Sequence, residues 1–286
     1  MSSGNILVNS EINQLERVIV HRPDEGIARI SPKESVELLF DDIVFLPHMQ
    51  REHDVFTSVL KACIGAENVI YVENLLLEAL EASPEKKEEL IKLIVDYEEL
   101  PNSYSEILLG LQNEVLRDVL ITGYYKEDDC IFFDPIPNFI FTRDIAVVVN
   151  DHVVITKAAK EARHRENILT RFIFWANPLF TKIQEEGKII NLNRVELFPP
   201  SKRGEIVSIE GGDMMMIDPD YLLIGCSERT TEYAIKSLKE KLFEKKIVKN
   251  VVQVNIPHDR SYMHIDTVFT RINHNHMVVY KPIVCD

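Results

Sequence analysis

Hydrophobic and polar positions change their period several times along this chain. Residues 15–21 (LERVIVH) form an apolar run closed by Arg22-Pro23-Asp24-Glu25-Gly26, which predicts a buried strand ended by a turn. Residues 45–62 favour a helix, and residues 68–72 (NVIYV) a short strand. A second helix is predicted from Ser83-Pro84-Glu85: Ser83 suits the cap, Pro84 the first helical position, and the acidic residues the first turn. Leu90, Ile91, Ile94 and Tyr97 share one face of it, and Leu100-Pro101-Asn102 breaks it. Ile107, Leu111, Val115 and Val119 then recur at every fourth position, which predicts one further helix.

Beyond residue 121 strand-like runs dominate. Residues 131–133, 145–149, 153–156, 188–190, 206–210, 214–217 and 221–225 are predicted strands. Residues 157–175 and 230–246 are predicted helices, the second capped by Thr230 or Thr231. Residues 251–256, 266–272 and 276–280 close the chain as strands. A recurring strand, strand, helix, strand order predicts an α/β protein made of modular β units. Residues 73–121 stand apart as a small helical subdomain inserted into it, so the expected domains are 1–72 with 122–286, and 73–121.

Composition narrows the class. The 286 residues are 45% hydrophobic and 27% charged, an ordinary globular balance. The net charge of −14 argues against nucleic-acid binding, which needs a basic patch. It suits a cationic small-molecule substrate, and equally simple solubility. The first ten residues lack the charged and apolar segments of a secretion signal. No apolar run approaches the roughly 18 residues that span a bilayer. Cys63, Cys130, Cys226 and Cys285 are scattered without CxxC spacing, which suggests reduced cytoplasmic thiols. Zinc-finger spacing, a GxGxxG fingerprint and a P-loop are all missing from the sequence, so no metal, flavin or nucleotide cofactor is expected.

Four short constellations could carry chemistry. In Asn138-Phe139-Ile140-Phe141-Thr142-Arg143-Asp144 an acid stands at the mouth of an apolar strand; the plain alternative is a local Arg143–Asp144 surface pair. In Glu210-Gly211-Gly212-Asp213 paired glycines between strands mark a close backbone approach beside Glu210, or an ordinary hairpin with solvated acids. The run Met214-Met215-Met216 after it is core. In His264-Ile265-Asp266 a period of two puts His264 and Asp266 on one face, where the carboxylate favours an imidazolium able to act as general acid. In Ser227-Glu228-Arg229-Thr230, at a strand-to-helix junction, Arg229 could clamp a carboxylate or form a helix-entry salt bridge. Arg163 and Arg165 are further candidates on a basic run that otherwise makes a solvated helix face.

The order of these motifs is more telling than any one of them. Asn-x-x-Phe-Thr-Arg-Asp, Glu-Gly-Gly-Asp, Ser-Glu-Arg-Thr and His-x-Asp-Thr-Val-Phe, in that order, resemble the arginine deiminases. So do Val20-His21-Arg22-Pro23, Leu38-Leu39-Phe40-Asp41-Asp42-Ile43 and Glu52-His53-Asp54-x-Phe56 near the start. The helical insertion resembles the one that separates these enzymes from dimethylarginine hydrolases and amidinotransferases. The resemblance implies a pentein fold, a five-bladed α/β propeller with substrate at its centre, and hydrolysis of L-arginine to citrulline and ammonia. It implies that Asp144 and Asp266 hold the guanidinium, that Glu210 and His264 complete the acid–base machinery, and that Asn138, Arg229 and one of Arg163 or Arg165 bind the amino-acid end.

The family's nucleophile is a cysteine on a glycine-rich loop well beyond the His-x-Asp motif. Only 20 residues follow Asp266 here, and they resemble the strand after that motif rather than the loop. The expectation is therefore an incomplete propeller, truncated before its thiol, with Cys285 not the nucleophile. Open strand edges in such a form would favour a homo-oligomer. Two other functions remain open: a guanidino-compound binder without turnover, and an amidinotransferase, which the helical insertion argues against.

Overall fold

The computed structural model describes residues 6–31, 37–40, 44–193 and 207–284. Asp41, Asp42, Ile43, Ile206 and Cys285 lie outside the described residues. The protein is mixed α/β with five small sheets among them, and it divides into two compact units. The first comprises 1–14, 143–161 and 182–286; the second comprises 15–142 and 162–181.

Two modules of the same topology build the first unit. Strands Ala146–Val149 and His152–Ile155 form an antiparallel hairpin, and Ile189–Asn191 adds in parallel to the second of them. Met214–Asp218 and Tyr221–Cys226 form the equivalent hairpin, and Asn250–Asn255 again adds in parallel. A parallel partner cannot be reached by a tight turn, so a crossover must intervene. In the second module that crossover is the helix Glu232–Glu244, whose N-cap Thr231 accepts a hydrogen bond from the Ala234 N–H. Its buried face, Ala234, Ile235, Leu238 and Leu242, packs with Met214, Met216, Leu222 and Ile224 and with Val147, Val149 and Val154. The methionine run is thus core, as its spacing implies. A two-stranded hairpin, Phe269–Asn273 with His276–Val279, completes the unit.

The second unit is mainly helical. Strands Val18–Val20 and Val69–Tyr71 pair in parallel around the helix Leu46–Ile64. Helices Val72–Ala82, Pro84–Tyr97, Ser103–Gly110 and Asn113–Thr122 follow, and His164–Ala176 packs on the first two of them. Leu76, Leu80, Ile91, Ile94, Leu108, Leu116, Leu120 and Leu169 are fully buried in this unit. Among the described residues no helix is long and apolar enough to cross a membrane.

Several sequence expectations need correction. The helix expected through 107–119 is broken: Leu111 and Gln112 are extended, with ψ 149° and 147°, after the weak helix former Gly110. Ile107 is consequently exposed while Leu116 and Val119 are buried. Ser83 precedes its helix but makes no side-chain cap. The helix expected from 157 begins only at His164, because Lys157 exchanges both backbone hydrogen bonds with Ile209. That same isolated bridge replaces the strand expected at 206–210. Residues 265–267 form a 3₁₀ turn, so the last strand pair starts at Phe269 rather than at Asp266.

One buried charge cluster governs how the second unit responds to pH. His21 is buried between Asp24, 2.8 Å from Nε2, and Glu73, 3.0 Å from Nδ1. Burial alone would lower its pKa, but the hydrogen bonds and charges of the two carboxylates raise it to about 9. A folded pKa above the unfolded value of about 6.5 stabilises fully below pH 6.5, and the gain disappears as pH rises through about 9. The stability difference between wild type and His21→Gln is therefore expected to be on the order of 3 kcal/mol near pH 6 and to shrink toward pH 10. Denaturant titrations at several pH values check this; a pH-independent difference would contradict it.

Candidate active site

Five of the eight candidate residues lie in the first unit: Asp144, Glu210, Arg229, His264 and Asp266. Glu210 ends the chain segment that bridges to Lys157, immediately before a 3₁₀ turn at Gly211–Asp213. The two glycines are there for close approach. A Cβ on Gly211 would stand 1.8 Å from the Arg143 carbonyl oxygen, and one on Gly212 would stand 2.6 Å from His264 Nδ1. The pair therefore lets the Asp144 turn and the His264 turn close over the Glu210 backbone.

The side chains converge as a result. His264 Nε2 lies 2.8 Å from Glu210 Oε2, and His264 Nδ1 lies 3.9 Å from Asp144 Oδ1. The other Glu210 oxygen accepts the Ala159 N–H at 2.9 Å, and Asp144 Oδ1 accepts the Gly212 N–H at 3.2 Å. Glu210 is 1% exposed, which makes its pairing obligatory. Burial alone would depress His264. The hydrogen bond to Glu210 and the charges of Asp144, Glu210 and Asp213 outweigh it and raise the imidazole to about 9. His264 is therefore held protonated near neutral pH, as a proton donor requires.

Asp266 completes the group from the solvent side. It is exposed, and its carboxylate makes no hydrogen bond with any described residue. A Cβ built on Gly212 would meet Asp266 Oδ2 at 3.0 Å and the His264 ring at 2.6 Å, so both side chains stand over that glycine. They share a side through the 3₁₀ turn, not through strand alternation. Protein packed around the Asp266 carboxyl raises its pKa; the His264 charge opposes that rise and the Asp144 charge adds to it.

Arg229 is buried, with Nη1 3.9 Å from Glu210 Oε1 and Nη2 3.4 Å from the Met263 sulfur. Its buried Nε has no hydrogen-bond partner among the described residues. Buried donors are normally paired, so this guanidinium is suited to an incoming acceptor. The Arg143 guanidinium pairs with Glu11 at 3.2 Å and donates to the Met214 carbonyl at 2.5 Å. The local Arg143–Asp144 pair considered from sequence is not formed in that way.

Asn138, Arg163 and Arg165 belong to the second unit. Asn138 Nδ2 donates to the Leu38 carbonyl at 2.7 Å. Arg163 grips Glu166 through Nε at 3.0 Å and Nη2 at 2.9 Å, and its Nη2 also reaches the Asn138 carbonyl at 3.4 Å. Arg165 is engaged on every nitrogen, by the Leu120 carbonyl at 3.1 Å, Glu98 at 2.5 Å and the Asp134 carbonyl, with its guanidinium 4.2 Å from the Phe133 ring. Neither is on a solvated helix face; both are buried.

Sequence reasoning missed a layer behind the cluster. Asp213, which the alternative of an ordinary hairpin would leave solvated, is fully buried and bonded to Ser227 and Ile265. The apolar residues on both sides of the Glu-Gly-Gly-Asp turn were the available signal. The ligand atoms of Asp144, Glu210 and His264 lie within 4.8 Å of one another, close enough to hold a cation. Two of those atoms are already joined by the Glu210–His264 hydrogen bond, so the trio is better described as a coupled acid–base group. A cavity of about 590 Å³ along the Glu232–Glu244 helix, lined by Lys236, Lys239 and Val251, contains none of the cluster.

Comparison with known proteins gives the fold class and the family. A solved dimethylarginine dimethylaminohydrolase superposes on 92% of this chain and 68% of its own, with a TM-score of 0.50 at 14% identity, which defines the fold class. The arginine deiminase of Listeria monocytogenes serotype 4a (strain HCC23) is 33% identical over 296 residues, covering 96% of this chain and 69% of its own. That of Limosilactobacillus reuteri (strain DSM 20016) is 34% identical over 301 residues, covering 98% and 70%. The arginine deiminase family model matches residues 36–128 and 117–286. The chain belongs to the arginine deiminase family.

Proposed function

We propose that this protein is an arginine deiminase, binding the guanidinium of L-arginine at the Asp144, Glu210, His264 and Asp266 cluster. The observation that carries the reading is an imidazole hydrogen-bonded at 2.8 Å to a buried glutamate, beside an aspartate whose carboxylate bonds to no described residue. A guanidinium is planar, cationic and resonance-stabilised, hence a poor electrophile. Carboxylates at Asp144 and Asp266 fix it by forked hydrogen bonds and balance its charge. A cysteine thiolate then attacks its central carbon, and His264 protonates the departing nitrogen, which leaves as ammonia. Water, deprotonated by the same histidine, attacks the S-linked amidino carbon, releasing citrulline and the free thiol. The sum is arginine plus water giving citrulline plus ammonia.

Arg229, whose Nε has no hydrogen-bond partner among the described residues, suits the substrate carboxylate. Of the two second-unit arginines, Arg163 is joined to Glu166 and to the Asn138 carbonyl, and Arg165, held by Glu98, takes a structural role. The hairpin-plus-parallel-strand module repeated in the first unit supports reading its sheets as blades of an incomplete pentein propeller, with the 73–121 helices as an insertion. Exposed Ile272, Met277, Val278, Val279 and Tyr280 favour a homo-oligomer, and free thiols at Cys63, Cys130 and Cys226 suit the cytoplasm.

The thiol gives a second reading some weight. Cys226 is the described cysteine in the same unit as the cluster, and burial pushes its thiol up, against the thiolate. A guanidino binder without turnover is therefore the alternative. Calorimetry with arginine together with an ammonia-release assay separates the two. Binding with ammonia release is expected of the deiminase; binding without ammonia supports the binder, and no binding contradicts both.

A further inference from the structure

We propose that Asp213 is a positioning residue: its buried carboxylate locks the turn that presents His264 and Asp266 onto the turn that presents Glu210. The inference rests on the functional reading of that cluster. Asp213 is fully buried and closes the Gly211–Asp213 turn three residues after Glu210. One of its oxygens accepts the N–H of Ile265, the residue between His264 and Asp266, at 2.8 Å. The other accepts the Ser227 hydroxyl at 2.6 Å. The Ser227 oxygen in turn accepts the N–H groups of Arg229 at 3.0 Å and Thr230 at 3.1 Å. The circuit closes where the Thr230 hydroxyl accepts the Glu210 N–H at 3.2 Å.

Three separate segments of chain, carrying Glu210, Arg229 and the His264–Asp266 pair, are therefore joined through one carboxylate. Burying a charge is costly unless it is well bonded, and a merely stabilising role would be served as well by apolar packing. What the carboxylate adds is direction. It fixes the backbone on the C-terminal side of His264, and with it the line from the imidazole to Glu210. Its negative charge also favours the imidazolium.

Asp213→Asn keeps the size but not both acceptors: either the Ile265 N–H or the Ser227 hydroxyl must then face an amide NH₂. We expect the variant to fold, its arginine Kd to rise about tenfold for one lost charge-assisted hydrogen bond, and the His264 titration midpoint, followed by NMR, to fall below that of wild type. Ser227→Ala keeps the charge and the Ile265 bond. It is expected to raise Kd about threefold and to leave the His264 midpoint in place. A folded Asp213→Asn with wild-type midpoint and affinity overturns the proposal. If that variant does not fold, wild-type affinity in Ser227→Ala overturns it instead. The NMR readout needs no ligand. A wild type that does not bind arginine, with a midpoint still displaced in Asp213→Asn, would refute the functional reading and leave the positioning role standing.

Discussion

Asp266→Asn is expected to weaken arginine binding about 100-fold while leaving the melting temperature near that of wild type. A charge-assisted hydrogen bond to a carboxylate contributes about 1.5–3 kcal/mol, and Asp266 is the member of the cluster that offers both oxygens to a ligand. Asparagine removes the charge and turns one acceptor into a donor, which faces the N–H groups of a guanidinium unfavourably. The fold should not register the change. Asp266 is exposed and bonded to no described residue, so its substitution belongs with surface changes worth about ±0.5 kcal/mol. Asp266 is also held above the ordinary aspartate range, so wild-type binding should begin to fail on acidification at a higher pH than an unperturbed aspartate would give. Calorimetry across pH, with thermal unfolding in parallel, reads both effects. Unchanged affinity in Asp266→Asn would show that the guanidinium is held elsewhere.

The largest expected loss of stability lies in the second unit, at Arg165. Its guanidinium joins Glu98, the carbonyls of Leu120 and Asp134 and the Phe133 ring, all with the arginine 4% exposed. Arg165→Ala strands the Glu98 carboxylate and two carbonyl oxygens at once. Breaking a buried ion pair by removing one partner costs about 3–5 kcal/mol. Urea unfolding should show that loss as a lower midpoint, while the folded fraction keeps its arginine affinity. An Arg165→Ala variant as stable as wild type would contradict that structural role.

What the sequence revealed and what it hid follow from the range of the interactions. Hairpins such as 214–225 and the Thr231-capped helix are written in local alternation and turn chemistry, and they form where expected. The glycine pair at 211–212 signalled a close approach, and the Arg143 carbonyl and the His264 ring are what come close. The grouping of Glu210 with His264 was legible only through the family resemblance, because the two lie 54 residues apart and no periodicity connects them. The burial of Asp213 was left open for a similar reason: it comes from Ser227 and Ile265, which only the folded chain brings to it. The helix expected from Lys157 failed because a non-local bridge to Ile209 outweighed local propensity. Arg165 looked like part of a basic surface run until Glu98, 67 residues earlier, supplied its counter-charge.

The convergence of separate turns on one flat cation is tested most directly by the structure of the protein with arginine bound. The guanidinium should lie between the Asp144 and Asp266 carboxylates, hydrogen-bonded to both, with the His264 ring beside its terminal nitrogens and Glu210 still bonded to that ring. A bound arginine whose guanidinium touches neither carboxylate would contradict the assignment of this cluster.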